Sequence, residues 1–123
     1  RGTAAGGGYS SAADLIRFAE GLMSGRLLSR NWLAQATRAQ TPSQLYGLGF
    51  QLGGTGSFAY FGHAGGAEGM NGALRIYPAS GDVIITLSNF DPPAADDLVQ
   101  YYGNRMPQSK QAVVQSNLNK KGK

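Results

Sequence analysis

The stretch YFGHAGGAEGMNG, residues 60–72, gathers the chemistry this chain can offer. It holds the only histidine, His63, among Gly62, Gly65, Gly66, Gly69 and Gly72. An imidazole exchanges a proton near neutral pH. Residues without a Cβ let the backbone come close to a ligand, and their bare N–H groups can point at a developing oxyanion. The pattern therefore supports an imidazole beside an electrostatic ledge. It equally supports a plain structural use, in which the glycines form a tight bend between strands and His63 caps an edge. Spacing alone leaves both readings open.

Other chemistries are more easily set aside. The chain has no cysteine, hence no disulfide, thiol nucleophile or thiolate metal site, and a single histidine excludes the multi-histidine zinc patterns. A phosphate-binding P-loop needs lysine and then serine or threonine after its last glycine, and no G-x-G-x-x-G leaves a strand to open a helix, so nucleotide binding is not expected. Asp96 and Asp97 are neighbours on a helix and point in different directions, which argues against paired carboxylates and for a role at the helix dipole. Glu68 either orients His63 or solvates the loop, and loop acids are usually exposed.

The elements that must position these residues follow from periodicity. Ser11 and Asp14 fit a capping box ahead of Leu15, Phe18, Ala19, Leu22 and Met23 at helical spacing, with Gly25 placed to end the helix. Ser29 starts a shorter helix through Trp32, Leu33 and Ala36 that stops before Pro42. From Tyr46 the period becomes that of strands: YGLGFQLG, SFAYFGH, GALRIYP and VIITLSNF, with a glycine loop after His63 and turns at 53–56 and 78–82. Closely spaced strands predict an antiparallel meander, and Val83 to Leu87, apolar on both faces, predicts cover on each side. Asp91-Pro92-Pro93 reads as the entrance to a last helix whose stripe is Ala95, Leu98, Val99 and Tyr102. The order of helix, helix, four strands, helix makes the fold class α+β. At 123 residues this is one domain able to bury roughly two-thirds of its unfolded surface.

Charge adds a boundary. The formal net charge of +4 equals the contribution of Lys110, Lys120, Lys121 and Lys123, in a stretch with no acid. The remaining chain balances arginines against acids, so a basic, disordered tail is expected at 107–123, after a domain over 1–106. The tail lacks interleaved arginines and aromatics, so no nucleic-acid partner is expected. No apolar run approaches the roughly 18 residues of a membrane span. The N-terminus does not read as a signal peptide, and a chain opening on Arg1 reads as processed or excised.

Taken together, AGGGYSSAADLIRFAEGLMSGRLLS, YGLGFQLG and FGHAGGAEGMNGALRIYPASGDVIITLSN resemble the C-terminal part of the serine β-lactamase-like superfamily, which includes class C β-lactamases, D-alanyl-D-alanine peptidases and related esterases. The resemblance runs from about Gly2 to Arg105 and implies a partial β-lactamase/transpeptidase-like fold. It matches that family's third motif to His63, Ala64 and Gly65, and a histidine in first place is more like the esterase and peptidase branches. By this likeness His63 and Gly66 are the catalytic groups, the Gly66 N–H being one of two oxyanion donors, and Ala64, Gly65 and Ala67 face substrate. The implied reaction is acyl transfer on a small-molecule ester, amide or β-lactam, without cofactor or metal, in the cell envelope, the periplasm or outside the cell. Against the family pattern, no S-x-x-K occurs in the chain. Tyr102-Gly103-Asn104 and Ser29-Arg30-Asn31 spell Y-x-N and S-x-N, but on helices, out of context. The resemblance thus implies a hydrolase fragment, inactive alone, whose N-terminal segment is missing and whose exposed sheet edge at 82–90 promotes self-association. The alternative is a non-catalytic binding module built on the same sheet.

Overall fold

The computed structural model describes residue 3 and residues 6–107. Three helices and four strands follow the chain order α1 (Ala12–Met23), α2 (Arg30–Ala36), β1 (Gln51–Gly53), β2 (Tyr60–Ala67), β3 (Met70–Tyr77), β4 (Asp82–Ser88) and α3 (Ala94–Gly103). The strands form one antiparallel sheet in the order β1-β2-β3-β4. The expected α+β class and meander are both present. The 107–123 tail falls, Pro107 apart, outside the described residues.

Local signals place the helices as their sequences dictate. Asp14 N–H donates to Ser11 Oγ at 3.2 Å while the same hydroxyl donates to Asp14 Oδ2 at 2.7 Å, closing the start of α1. At its far end Gly25 takes φ +80°, a left-handed conformation that favours glycine, and donates to Leu22 O at 3.1 Å. Trp32 N–H donates to Ser29 Oγ at 3.3 Å and starts α2.

The two faces of the sheet are covered differently. Phe61 and Ile76 are buried with Ala19 and Leu22 of α1. On the opposite face Ala73 is buried with Ala95 and Val99 of α3. The pleat sends alternate residues to opposite faces, so β2 sends Phe61, His63 and Gly65 towards α1 and Gly62, Ala64 and Gly66 towards α3. The expectation that the strand at 83–87 is covered on both sides holds for Val83 and Ile84, which pack in the two cores. Leu87 at its end stays exposed.

Several expectations are corrected. The strand expected across YGLGFQLG is reduced to Gln51–Gly53, because Gly47 N–H donates to Phe50 O and Leu52 N–H to Leu45 O within a local turn. Ser57 and Phe58 lie in a short 3-10 turn rather than at the head of a strand. The glycine loop after His63 is not a loop: β2 continues to Ala67, with Gly65 opposite Gly72 and Gly66 opposite Asn71, and only Glu68 and Gly69 turn. Trp32 is exposed although placed on the apolar stripe of α2. In α3 only Ala95 and Val99 are buried, while Leu98 and Tyr102 are 47% and 56% exposed. Ala95 and Val99 meet the sheet, and the rest of the expected stripe faces outward.

Candidate functional site

β2 presents its residues in an unpaired setting on one edge. β1 pairs with β2 only from Tyr60 to Gly62, where Gln51 stands opposite Gly62. Beyond that point the edge of β2 that faces away from β3 has no strand beside it among the described residues. Ala64 N–H points to this edge and donates to Gln51 Oε1 at 3.1 Å. Hydrogen bonds in an antiparallel pair alternate along each strand, and the register runs without a bulge to Ala67. Gly66 N–H, two residues on, therefore points to the same open edge. Gly66 itself is exposed.

Gly66 cannot be another residue without disturbance. A Cβ there would stand 2.6 Å from Pro92 Cγ, 2.8 Å from Met70 O and 3.0 Å from Asn71 Nδ2. Its neighbour differs, since a Cβ on Gly65 would meet nothing within 4 Å. That open space belongs to a cavity of about 590 Å³ lined by Phe18, Leu48, His63, Gly65, Gly72 and Leu87, among others. A volume of this size suits a small organic ligand.

His63 is exposed and is held by both ring nitrogens. Nδ1 lies 2.7 Å from Ala64 O. A carbonyl can only accept, so Nδ1 carries hydrogen. Nε2 lies 2.8 Å from the Tyr46 hydroxyl and, in the neutral ring, accepts from it. The Tyr46 and His63 rings meet edge to face with centroids 5.8 Å apart. The imidazole is thereby fixed in one tautomer, its Nε2 being the nitrogen open to proton exchange. Glu68 is exposed at the hairpin tip, and Tyr46 and Ala64 do the orienting it was considered for.

The structure thus brings His63, Ala64, Gly65 and Gly66 to one end of β2, between the open edge and the cavity. Ala67 closes the strand opposite Met70, further along and exposed. Nothing in the spacing pointed to Tyr46, Gln51 or Asn71. Asn71 is only 4% exposed and makes three hydrogen bonds: Nδ2 donates to Gly65 O at 2.9 Å and to Asp96 Oδ2 at 3.1 Å, and Oδ1 accepts from Ala95 N–H at 2.7 Å. The last of these satisfies one of the orphan donors at the start of α3, which has no side-chain cap of its own. Asp96 therefore has a definite partner besides its place near the helix dipole. Asp91 Oδ1 accepts from Gly69 N–H at 2.6 Å and ties down the hairpin turn. An asparagine in a strand beside a glycine is a weak signal, and two of its three partners lie 24 and 25 residues away in sequence.

The beta-lactamase family model matches residues 1–105. The chain belongs to the beta-lactamase family. No curated protein and no solved structure matches it. For a beta-lactamase family member the kind of function is that of a serine hydrolase. Among the described residues no group of three or more histidine, cysteine, aspartate or glutamate side chains could hold a metal ion, and no helix is long and apolar enough to cross a membrane.

Proposed function

We propose that this chain supplies the substrate-facing strand of a serine hydrolase that performs acyl transfer on small esters, amides or β-lactams. A serine contributed from outside this sequence attacks the carbonyl, and the Gly66 N–H stabilises the oxyanion that forms. His63 offers Nε2 as a polar contact or proton relay, shared with the Tyr46 hydroxyl. Ala64, Gly65 and Ala67 form the wall along which substrate lies, and the missing Cβ of Gly65 leaves room for it.

The observation that carries this reading is the direction of the Gly66 amide. It faces an edge without a neighbouring strand, beside the cavity, and its residue must be glycine because Pro92 and Asn71 crowd it from behind. An amide that served only the sheet would be paired within it.

Three measurements test the proposal. The chain by itself should leave nitrocefin and p-nitrophenyl esters intact, and turnover blocked by a serine-directed phosphonate would overturn the need for an outside nucleophile. In the enzyme reconstituted with a nucleophile-bearing segment, replacing the Gly65–Gly66 amide by an ester removes the Gly66 N–H without adding a side chain, at the cost of a weaker Gly65 carbonyl acceptor for Asn71. The expected result is a fall in kcat of roughly 100- to 1000-fold. Unchanged turnover would remove Gly66 from the mechanism, and unchanged hydrolysis by His63→Ala would favour a binding module.

A further inference from the structure

A second cavity, of about 370 Å³, lies on the opposite face of the sheet, between the end of β3 and the last turn of α3. Phe58, Tyr60, Arg75, Tyr77, Gly103 and Met106 give it its character, and no acidic side chain lines it. Tyr77 is 2% exposed, yet its hydroxyl makes no hydrogen bond among the described residues. The oxygen itself is not sealed from solvent, since no buried side-chain oxygen or nitrogen among the described residues lacks a partner, so the cavity can reach it. The direction of the hydroxyl is defined by Gly103: a Cβ on that residue would stand 2.7 Å from Tyr77 Oη and 3.4 Å from Arg75 Nη1. Both donors lie against the bare backbone of Gly103, whose missing Cβ lets them come this close together.

Arg75 is held ready on its other sides. Its guanidinium stacks 4.4 Å from the Tyr60 ring centroid, and Nη2 donates to Gln100 Oε1 at 3.0 Å. Gln100 is oriented in turn by donating Nε2 to Asn104 Oδ1 at 2.7 Å. Nη1 and Nε make no hydrogen bond within the described chain. A planar guanidinium with free donors, next to a free hydroxyl, is a carboxylate receptor. A phosphate dianion suits it less, because there is one cation and the negative end of the α3 dipole is close. Phe58, Tyr60 and Met106 provide an apolar wall for a flat ligand body.

We propose that this cavity binds small aromatic carboxylates, the carboxylate resting on Arg75 and Tyr77 over Gly103 and the ring against Phe58 and Tyr60. The site is independent of the hydrolase reading, since it lies on the α3 face and uses none of the residues around His63.

The test is titration of the full chain with benzoate, and with benzamide as its neutral counterpart, followed by calorimetry and by amide shifts of Gln100 and Gly103. Benzoate should bind with a Kd on the order of 1 mM or tighter, and benzamide at least about tenfold more weakly. Arg75→Gln should weaken benzoate binding by about tenfold or more and Tyr77→Phe by about three- to tenfold. Gly103→Ala should abolish binding by pushing Tyr77 Oη and Arg75 Nη1 out of position. The same clash costs stability, so a melting curve taken beside the titration shows that the variant is folded when binding is read, and Arg75→Gln tests the site without it. Equal binding of benzamide, unchanged binding in Arg75→Gln, or no saturable shift in the wild-type chain at about 20 mM benzoate would overturn the proposal. So would binding that emerges only when residues 108–123 are removed, which would make that segment the occupant.

Discussion

Gly65 and Gly66 are adjacent in sequence and have opposite structural reasons to be glycine. Gly66 turns towards α3, where a side chain would strike Pro92, Met70 O and Asn71, whereas Gly65 turns towards α1, where a side chain would meet only space. The contrast extends to the two faces of the sheet. On the α3 face Asn71 and Thr86 fasten the helix, Thr86 Oγ1 donating to Ala95 O at 2.7 Å beside the Asn71 bonds. On the α1 face near His63 the apolar groups Phe18, Leu48 and Leu87 remain exposed around a cavity. One face is fastened by buried polar bonds and the other is left open, which is how a rigid scaffold can present a ligand surface.

The largest effect should come from breaking the closed face at its centre. Asn71→Ala removes three hydrogen bonds and leaves the buried Ala95 N–H without its partner. At about 1–3 kcal/mol for a buried group left unsatisfied, with the bonds to Gly65 O and Asp96 lost besides, the loss should reach about 2–3 kcal/mol in urea unfolding. A loss below about 1 kcal/mol would mean that the face is held by packing alone.

A sharper form of the comparison uses the glycines themselves. Gly66→Ala forces backbone and Pro92 apart and should cost about 1–3 kcal/mol, as overpacking does. Gly65→Ala should stay within about 0.5 kcal/mol of wild type, because its Cβ enters open space. The same methyl group projects into the cavity beside His63, so it should weaken any ligand bound there while leaving the melting transition in place. Equal destabilisation by the two substitutions would erase the distinction between the faces.

How far this was legible beforehand depends on range. The caps at Ser11 and Ser29 and the stop at Gly25 are local signals, set by side chains within three residues of the backbone they serve, and each is found where the sequence implied. The meander was legible because short turns join neighbouring strands. His63, Gly65 and Gly66 stood out by composition, although what looked like a loop proved to be the continuation of β2. Glycine's usual association with bends hid a strand that needs bare backbone for close packing. Tyr46, Gln51 and Asn71 act across 17, 13 and 25 residues. No periodicity encodes contacts of that separation. Trp32, Leu98 and Tyr102 fit helical stripes but remain exposed, since a stripe specifies a face and not what covers it.

The smallest effect serves as a control on α1, the helix that carries the open face. The Asp14 carboxyl is held below the usual carboxylate range, first by the Ser11 hydroxyl and then by the hydrogen bond and charge of Arg17. A group whose folded pKa is depressed contributes stability that is present above its unfolded value and is lost as pH falls through the folded value. Asp14→Asn should therefore lower stability slightly at neutral pH, and the difference from wild type should close in acid. Paired thermal melts across that range would show it. Since Asp14 lies far in sequence from Asn71 and shares no partner with it, the double variant should show additive losses. A clear departure from additivity would mean that α1 and the α3 face respond as one unit, and the separation of an open face from a fastened one would have to be given up.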